Sequence, residues 1–322
     1  MAHHDAALRR WIVDHGGYVH DAISVSSATE CGSRGLVAAA AINLEELEAR
    51  SLVVVPRRLH LDNAAAVACC LASEVSRGAD SFWLPYLRTL PHTPPNPWLC
   101  SGPDLAVALE AMAEAAAAEA MAEAAAAAAA TEAAAAQSRW AEGEAGSSDG
   151  YRLSRGSEGE EGEEEEVLEA GGTWGWEPGR GGSDRSGWAA AVEAARRRYR
   201  GLAEEVLEVV GPDAAALRVD PDGLMWALGQ VVSRSLGSGR SSGLLPFIDM
   251  ANHHAAARPP MMMLDDADRL VFAVTSIRGG ELAPLGAGQE LFISYQAEDM
   301  SPLRAWLKWG FVPRCLPARG PA

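Results

Sequence analysis

The densest run of chemistry-bearing side chains in this sequence is Asp249-Met-Ala-Asn-His-His254, within the segment Leu245 to His254. A carboxylate, an amide and two imidazoles so close together could suggest a metal cluster. Adjacent histidines point in different directions, however, and no third ligand is spaced to join them, so no metal is expected. Upstream, Arg234 ends the apolar run Trp226 to Arg234. Such an arginine is either a snorkelling surface residue or a binding group, because its planar fork donates two parallel hydrogen bonds to a carboxylate. Downstream, Tyr295 ends the apolar run Gly288-Gln-Glu-Leu-Phe-Ile-Ser-Tyr295. It is either a core residue with its hydroxyl at the rim or a hydroxyl aimed at a ligand. Near the N-terminus, Glu30-Cys-Gly-Ser-Arg-Gly-Leu36 forms a glycine-containing turn. Glycine lets backbone groups approach a ligand closely, and it equally serves an ordinary hairpin. The turn lacks the G-x-G-x-x-G spacing of a dinucleotide site.

Taken in order, these pieces are similar to one family. Leu245-Pro-Phe-Ile-Asp-Met-Ala-Asn-His-His254, then Gly288 to Tyr295, then Trp309-Gly-Phe311 resemble the C-terminal half of a SET-domain protein methyltransferase. The type is that of the Rubisco large-subunit lysine methyltransferases, whose subfamily includes the actin-histidine methyltransferases. In the N-terminal part, Leu8-Arg-Arg-Trp11, Arg34-Gly-Leu36, Val55-Pro56, Ser81 to Tyr86 and Leu90-Pro91 fall in the same family order. The resemblance covers most of residues 8 to 100 and 188 to 313.

The resemblance implies S-adenosylmethionine (SAM) as cofactor and a protein lysine as acceptor, with histidine as another possible acceptor. It assigns Glu30, Gly35 and Leu36 to the methionine end of SAM, Arg234 to its carboxylate, and Asn252 and His253 to its methionine and adenine parts. It sets Asp249 and Trp309 beside the substrate channel and aims the Tyr295 hydroxyl at the transferring methyl. The chemistry asks for no metal, since the sulfonium already activates the methyl. The acceptor lysine must be neutral to attack, although its free pKa is about 10.4. A narrow apolar channel and a nearby sulfonium both disfavour the ammonium. Alignment then supplies much of the rate, and Tyr295 orients the reactants rather than acting as a strong base.

This chain departs from the family pattern in several places. His254 follows the Asn-His pair where Ser, Thr or Asn is usual, and Gln296 follows Tyr295 where Gly or Asp is usual. Trp309 replaces a tyrosine, Arg258 to Met263 replaces a longer segment, and the stretches Glu30 to Leu36 and Leu44 to Ser51 are longer. The family's helical docking domain is expected to be absent. Two other readings follow: a SET-like module that binds SAM or a peptide without turnover, and a truncated version of a longer enzyme.

The elements that must hold these residues are short. Helices are expected over Ala6–Val13, Asn63–Arg77, Ala189–Val210, Asp222–Leu236 and Ser301–Trp309, from apolar recurrence every three or four residues and from Pro221 at a helix start. Strands are expected over Val19–Ala28, Leu36–Ala41, Leu52–Val55, Leu244–Ile248, Leu270–Ser276 and Gln289–Tyr295. Phe82 to Leu90 reads as a short amphipathic turn. Strands at both ends with helices between them imply an α+β fold, a SET domain of small curved sheets. The resemblance adds a knot-like threading of the C-terminal segment and a helical insertion that carries a low-complexity stretch.

Charge marks out that stretch. The 322-residue chain has a formal charge of −17, and residues 104 to 187 carry 19 of the acidic but only 5 of the basic side chains. The remainder is nearly neutral and offers no basic field for direct nucleic-acid binding. Ala106–Ala136 reads as a solvent-exposed alanine-rich helix, too poor in large apolar residues to pack firmly. Residues 141–187, rich in Gly, Ser and Glu, are expected to be disordered through self-repulsion. The expected units are 1–103, the N-terminal part of the SET domain; 104–187, the insert; 188–242, a helical insertion; 243–313, the catalytic part; and 314–322, a tail. Five scattered cysteines without C-x-x-C spacing suit a reducing compartment, with chloroplast, cytosol and nucleus all open. No secretory start and no apolar run of membrane length are visible. A monomer acting on a protein substrate is expected.

Overall fold

The computed structural model describes residues 2–62, 64–114, 117, 121, 185–211, 213–236, 243–297 and 300–312. Helix α1 (Ala2–Asp14) buries Leu8, Trp11 and Ile12, spaced three and four apart on one face, and ends at Gly16, whose φ is 77°. The single strand expected over 19–28 is two, β1 (Tyr18–Val19) and β2 (Ile23–Ser26). Between them His20 makes a local turn: its Nδ1 accepts from the Ala22 N–H and its carbonyl from the Ile23 N–H. Strand β3 (Gly35–Ala38) follows the glycine turn. Helix α2 (Leu44–Ala49) occupies the lengthened stretch and is held by a capping box between Asn43 and Glu46. Strand β4 (Val53–Pro56) is the expected valine run, and β5 (Leu61–Asp62) follows.

Helix α3 (Ala64–Arg77) buries Val67 and Leu71 but leaves Val75 exposed, and α4 (Leu84–Leu87) is a single turn. Residues 102–114 are helical (α5). The beginning of the expected exposed helix is thus packed on one face, with Leu109 7% and Met112 2% exposed, while Val107 and Met121 stand in solvent. The rest of the alanine-rich stretch lies almost wholly outside the described residues, as do the Gly/Glu-rich stretch up to residue 184 and the tail. Helix α6 (Arg185–Val210) begins before the expected boundary, and α7 (Asp213–Leu217) and α8 (Pro221–Arg234) complete the helical layer. Asp220 caps α8, its carboxylate accepting from the Gly223 N–H at 2.7 Å. Helix α8 packs against both α3 and α6.

The strand expected over Leu244–Ile248 is not formed. Strand β6 (Gly243–Leu244) stops at once, Phe247 adopts φ 73°, and Ile248–Met250 make a 3-10 turn. Then come β7 (Asn252–His253), β8 (Met261–Leu264), β9 (Leu270–Val274), β10 (Ile277–Arg278), β11 (Glu281–Leu282) and β12 (Glu290–Ile293). Helix α9 (Pro302–Trp309) is capped by Ser301 and ends at Gly310.

Two four-stranded sheets run β1-β4-β9-β8 and β2-β3-β12-β7, with β5-β6 and β10-β11 as separate pairs. The second sheet organises the site. Strand β12 lies between β3, antiparallel, and β7, parallel, with Phe292 opposite Asn252 and Ile293 opposite His253. One register thus brings the glycine turn, the Asn-His pair and the end of the Tyr295 strand together, although they lie far apart in sequence.

Candidate functional site

The centre of the site is Asn252, fixed at both ends of its amide. Its Nδ2 donates to Glu290 Oε1 and to the Arg34 carbonyl, while its Oδ1 accepts from Ser33 Oγ at 3.3 Å. Glu290 is fully buried on β12, and its other oxygen accepts from the Cys31 N–H at 3.4 Å. A buried carboxylate needs such donors, because burying an unpartnered polar group costs about 1–3 kcal/mol, and more when it is charged. Gly35 closes the arrangement. A β-carbon there would overlap both Glu290 Oε1 and Asn252 Nδ2, so only glycine lets β3 come this close.

Next to Asn252, the buried His253 is aligned by its Nδ1, which accepts from the Tyr295 N–H at 3.0 Å. The Tyr295 ring lies 5.3 Å from that of His253 and 5.3 Å from that of Trp309. Its hydroxyl donates to the Ala251 carbonyl at 2.8 Å. Burial pushes the Tyr295 pKa well above the ordinary phenol value, partly opposed by Arg234. The hydroxyl is therefore neutral near pH 7, with one proton committed to Ala251 and lone pairs left to accept. Gln296 follows in the left-handed region at φ 56°, a conformation that explains why a glycine or aspartate is readily placed there.

Arg234 meets Asp249 rather than open solvent. Its Nη1 donates to Asp249 Oδ2 at 3.1 Å and to the Asp249 carbonyl at 3.2 Å. Asp249 Oδ2 also accepts from the Tyr86 hydroxyl at 2.7 Å. Burial drives the Tyr86 pKa far up, and Asp249 adds to it, so this phenol stays protonated as a donor. Arg34 lies near the same group and donates to the Thr89 carbonyl at 2.8 Å; burial and the neighbouring Arg234 both depress its pKa. Arg234 is thus the guanidinium bonded to Asp249, while Arg34 feels both Asp249 and Asp5 without a direct bond to either among the described residues.

A cavity of about 570 Å³ opens over Asn252, a volume in the range of small-molecule sites. Glu30, Ser33, Asn252 and His253 supply its polar side, and Phe292, Trp306 and Phe311 its apolar side. Of the residues singled out in the sequence, Glu30, Asn252 and His253 line this cavity, while Gly35 and Leu36 underlie it in β3. Arg234 and Asp249 pair with each other and Tyr295 stands between His253 and the buried Trp309, but Arg234, Asp249, Tyr295 and Trp309 do not line the cavity. Sequence reasoning missed the roles of Glu290, Ser33, Tyr86 and Phe311. Phe311 was signalled by Trp309-Gly-Phe311, whereas Glu290 gave no signal, since an acid beside an apolar run reads as a solvated strand end. Among the described residues no three acidic, histidine or cysteine side chains are grouped as a metal site.

No family model matches the sequence, and no curated protein matches it. Several solved structures do resemble it. The SET domain of LSMT bound to lysine and AdoHcy is 16% identical with a TM-score of 0.58, covering 97% of this chain and 58% of that one. Rubisco LSMT bound to AdoMet is 16% identical with a TM-score of 0.55, over 97% of this chain and 57% of that one. Rubisco LSMT bound to sinefungin and monomethyllysine is 14% identical with a TM-score of 0.54, over 98% and 57%. The chain therefore spans a little over half the length of these neighbours. At such identity the likeness is one of architecture, and on that architecture the chain has the fold of a SET-domain methyltransferase.

Proposed function

We propose that the chain is a SAM-dependent protein methyltransferase whose acceptor is a lysine side chain. The observation that carries this reading is the convergence of the Glu30–Ser33 turn, the doubly held Asn252 amide and His253 on one cavity, with the Tyr295 N–H bonded to His253. The residues fit SAM chemically. Glu30 beside the Asn252 amide suits an ammonium, whereas Arg234, already paired with Asp249, does not line the cavity and would have to turn toward it to meet a carboxylate. The aromatic side of the cavity suits a base.

SAM would supply a methyl carbon already activated by its sulfonium, so the protein's task is placement. Asn252, held by Glu290 and Ser33, presents a fixed amide. Gly35 lets backbone groups come close. The Tyr295 lone pairs, with the proton anchored on Ala251, are available to an incoming amine or a polarised methyl. The Trp309 and Tyr295 rings pack together as an apolar surface, and an acceptor amine brought beside Tyr295 would be biased toward its neutral, nucleophilic form.

A second reading, a SAM-binding module without turnover, is favoured by one observation. Trp309, which the resemblance sets beside the substrate channel, is almost wholly buried against Tyr295, Ala297 and Ala305. Calorimetry with SAM, followed by methyl-labelled SAM and a lysine-peptide array, separates the two. The enzyme predicts micromolar SAM binding, loss of binding in Asn252→Ala, and label on peptides. Binding without label would favour the module. Self-labelling is simple to score, because Lys308 is the only lysine in the chain.

A further inference from the structure

One wall of the cavity comes from the acidic, alanine-rich segment. Ala111 and Met112 of α5 line the cavity together with Phe292, Trp306 and Phe311. The helix is seated by a continuous face: Leu105, Ala108, Leu109 and Met112 recur at helical spacing, and all pack on the main core. Ala111 is exposed, one position before the buried Met112, so the helix presents a methyl group at the rim and a thioether in the wall. On the other helix faces, Val107 and Glu110 are exposed and do not line the cavity.

We infer that α5 is a built wall of the cofactor pocket, and that Ala111 and Met112 set the width of its apolar side and so the size of base it accepts. The inference rests on the SAM reading and extends it to a segment whose composition otherwise marks it as a tolerated insertion. The physical argument is volume. A small residue at 111 leaves space open, and an indole there would project into it from a position that buries nothing. The Met112 side chain is flexible and polarisable, adapts to a flat ring, and can be trimmed to create room.

The test uses the full chain and two ligands: S-adenosylhomocysteine, and an analogue with a bulky alkyl group on its adenine amine. Ala111→Trp should weaken S-adenosylhomocysteine binding by about tenfold or more, while Val107→Trp on the neighbouring exposed face leaves it unchanged. Met112→Ala should shift selectivity toward the bulky analogue, a change that mere loss of helix packing would not produce. In the unsubstituted chain, ligand addition should slow amide hydrogen exchange across 105–114, a reading that needs no variant. Unchanged affinity in Ala111→Trp together with unchanged exchange in α5 would overturn the wall while leaving the cofactor reading intact. Failure of the unsubstituted chain to bind either ligand would overturn both.

Discussion

At the residue scale the site depends on how Asn252 is held. Glu290 takes a hydrogen bond from the Asn252 amide and another from the Cys31 N–H, both inside the fold. Glu290→Ala removes both acceptors at once. We expect a loss of about 1–3 kcal/mol in urea unfolding and a marked loss of SAM affinity by calorimetry. Tyr295→Phe should separate differently. Its hydroxyl makes one bond, to Ala251, so stability should fall by only about 1 kcal/mol. Methyl transfer to a lysine peptide should drop by roughly 10²-fold or more with SAM affinity nearly unchanged, because alignment rather than binding is lost. An equal fall in affinity and rate would instead make Tyr295 part of the cofactor cradle. Asn252, His253 and Tyr295 stand out in the sequence because each sits in a short ordered motif, and the fold brings the three side by side. Glu290 does not, because its meaning lies in a partner on a different strand and in a register no local pattern encodes.

At the element scale the second sheet is the device that assembles the site, and Gly35 is its tightest point. A β-carbon at 35 would meet the Glu290 carboxylate and the Asn252 amide, both already constrained. Gly35→Ala should therefore cost about 1–3 kcal/mol in thermal or urea unfolding and weaken SAM binding more than its loss of stability explains. Gly310, at φ 78° and pressed against the Pro95 carbonyl, is a natural comparison: its substitution should destabilise α9 from the opposite side of the cavity. The long elements were readable, since α3, α6, α8 and α9 have enough turns to show an apolar stripe. The two-residue strands β1, β6 and β7 are too short to show any period. The apolar run Leu244–Ile248 looked like a buried strand because apolarity alone does not distinguish a strand from a buried turn. Phe247 in the left-handed region is the residue that turns it. In α2 the signal was present as Asn43-Leu-Glu-Glu46, a capping box hidden in what looked like a long turn.

At the scale of the whole molecule, charge and burial combine into pH-dependent stability. His60 is buried against the Phe272 ring, with centroids 4.5 Å apart. Burial, helped by Arg57, lowers its pKa from 6.5 to about 4. The folded state therefore holds His60 neutral while the unfolded chain takes up a proton below pH 6.5. The stability this contributes is complete above pH 6.5 and is lost as pH falls toward 4, reaching about 2 kcal/mol by pH 5. Lys308 works at the other end of the scale. Burial, with Arg304 nearby, lowers its pKa from 10.5 to about 8, and its ammonium lies 5.1 Å from the Trp309 ring. Between pH 8 and 10.5 the unfolded chain binds the extra proton, so stability rises with pH across that window. Below pH 8 the fold carries the full cost of a desolvated ammonium, of the order of 3 kcal/mol before the ring's attraction offsets part of it. Lys308→Met keeps the stem and removes the charge. It should stabilise the protein by about 1–3 kcal/mol at pH 7, and the gain should shrink toward zero near pH 10.5. Urea unfolding of both proteins at pH 7 and pH 10 reads this directly. A gain equal at both pH values would mean that packing, not the buried charge, sets the cost at this position. Lys308 would then titrate as an ordinary surface amine despite its place beside Trp309.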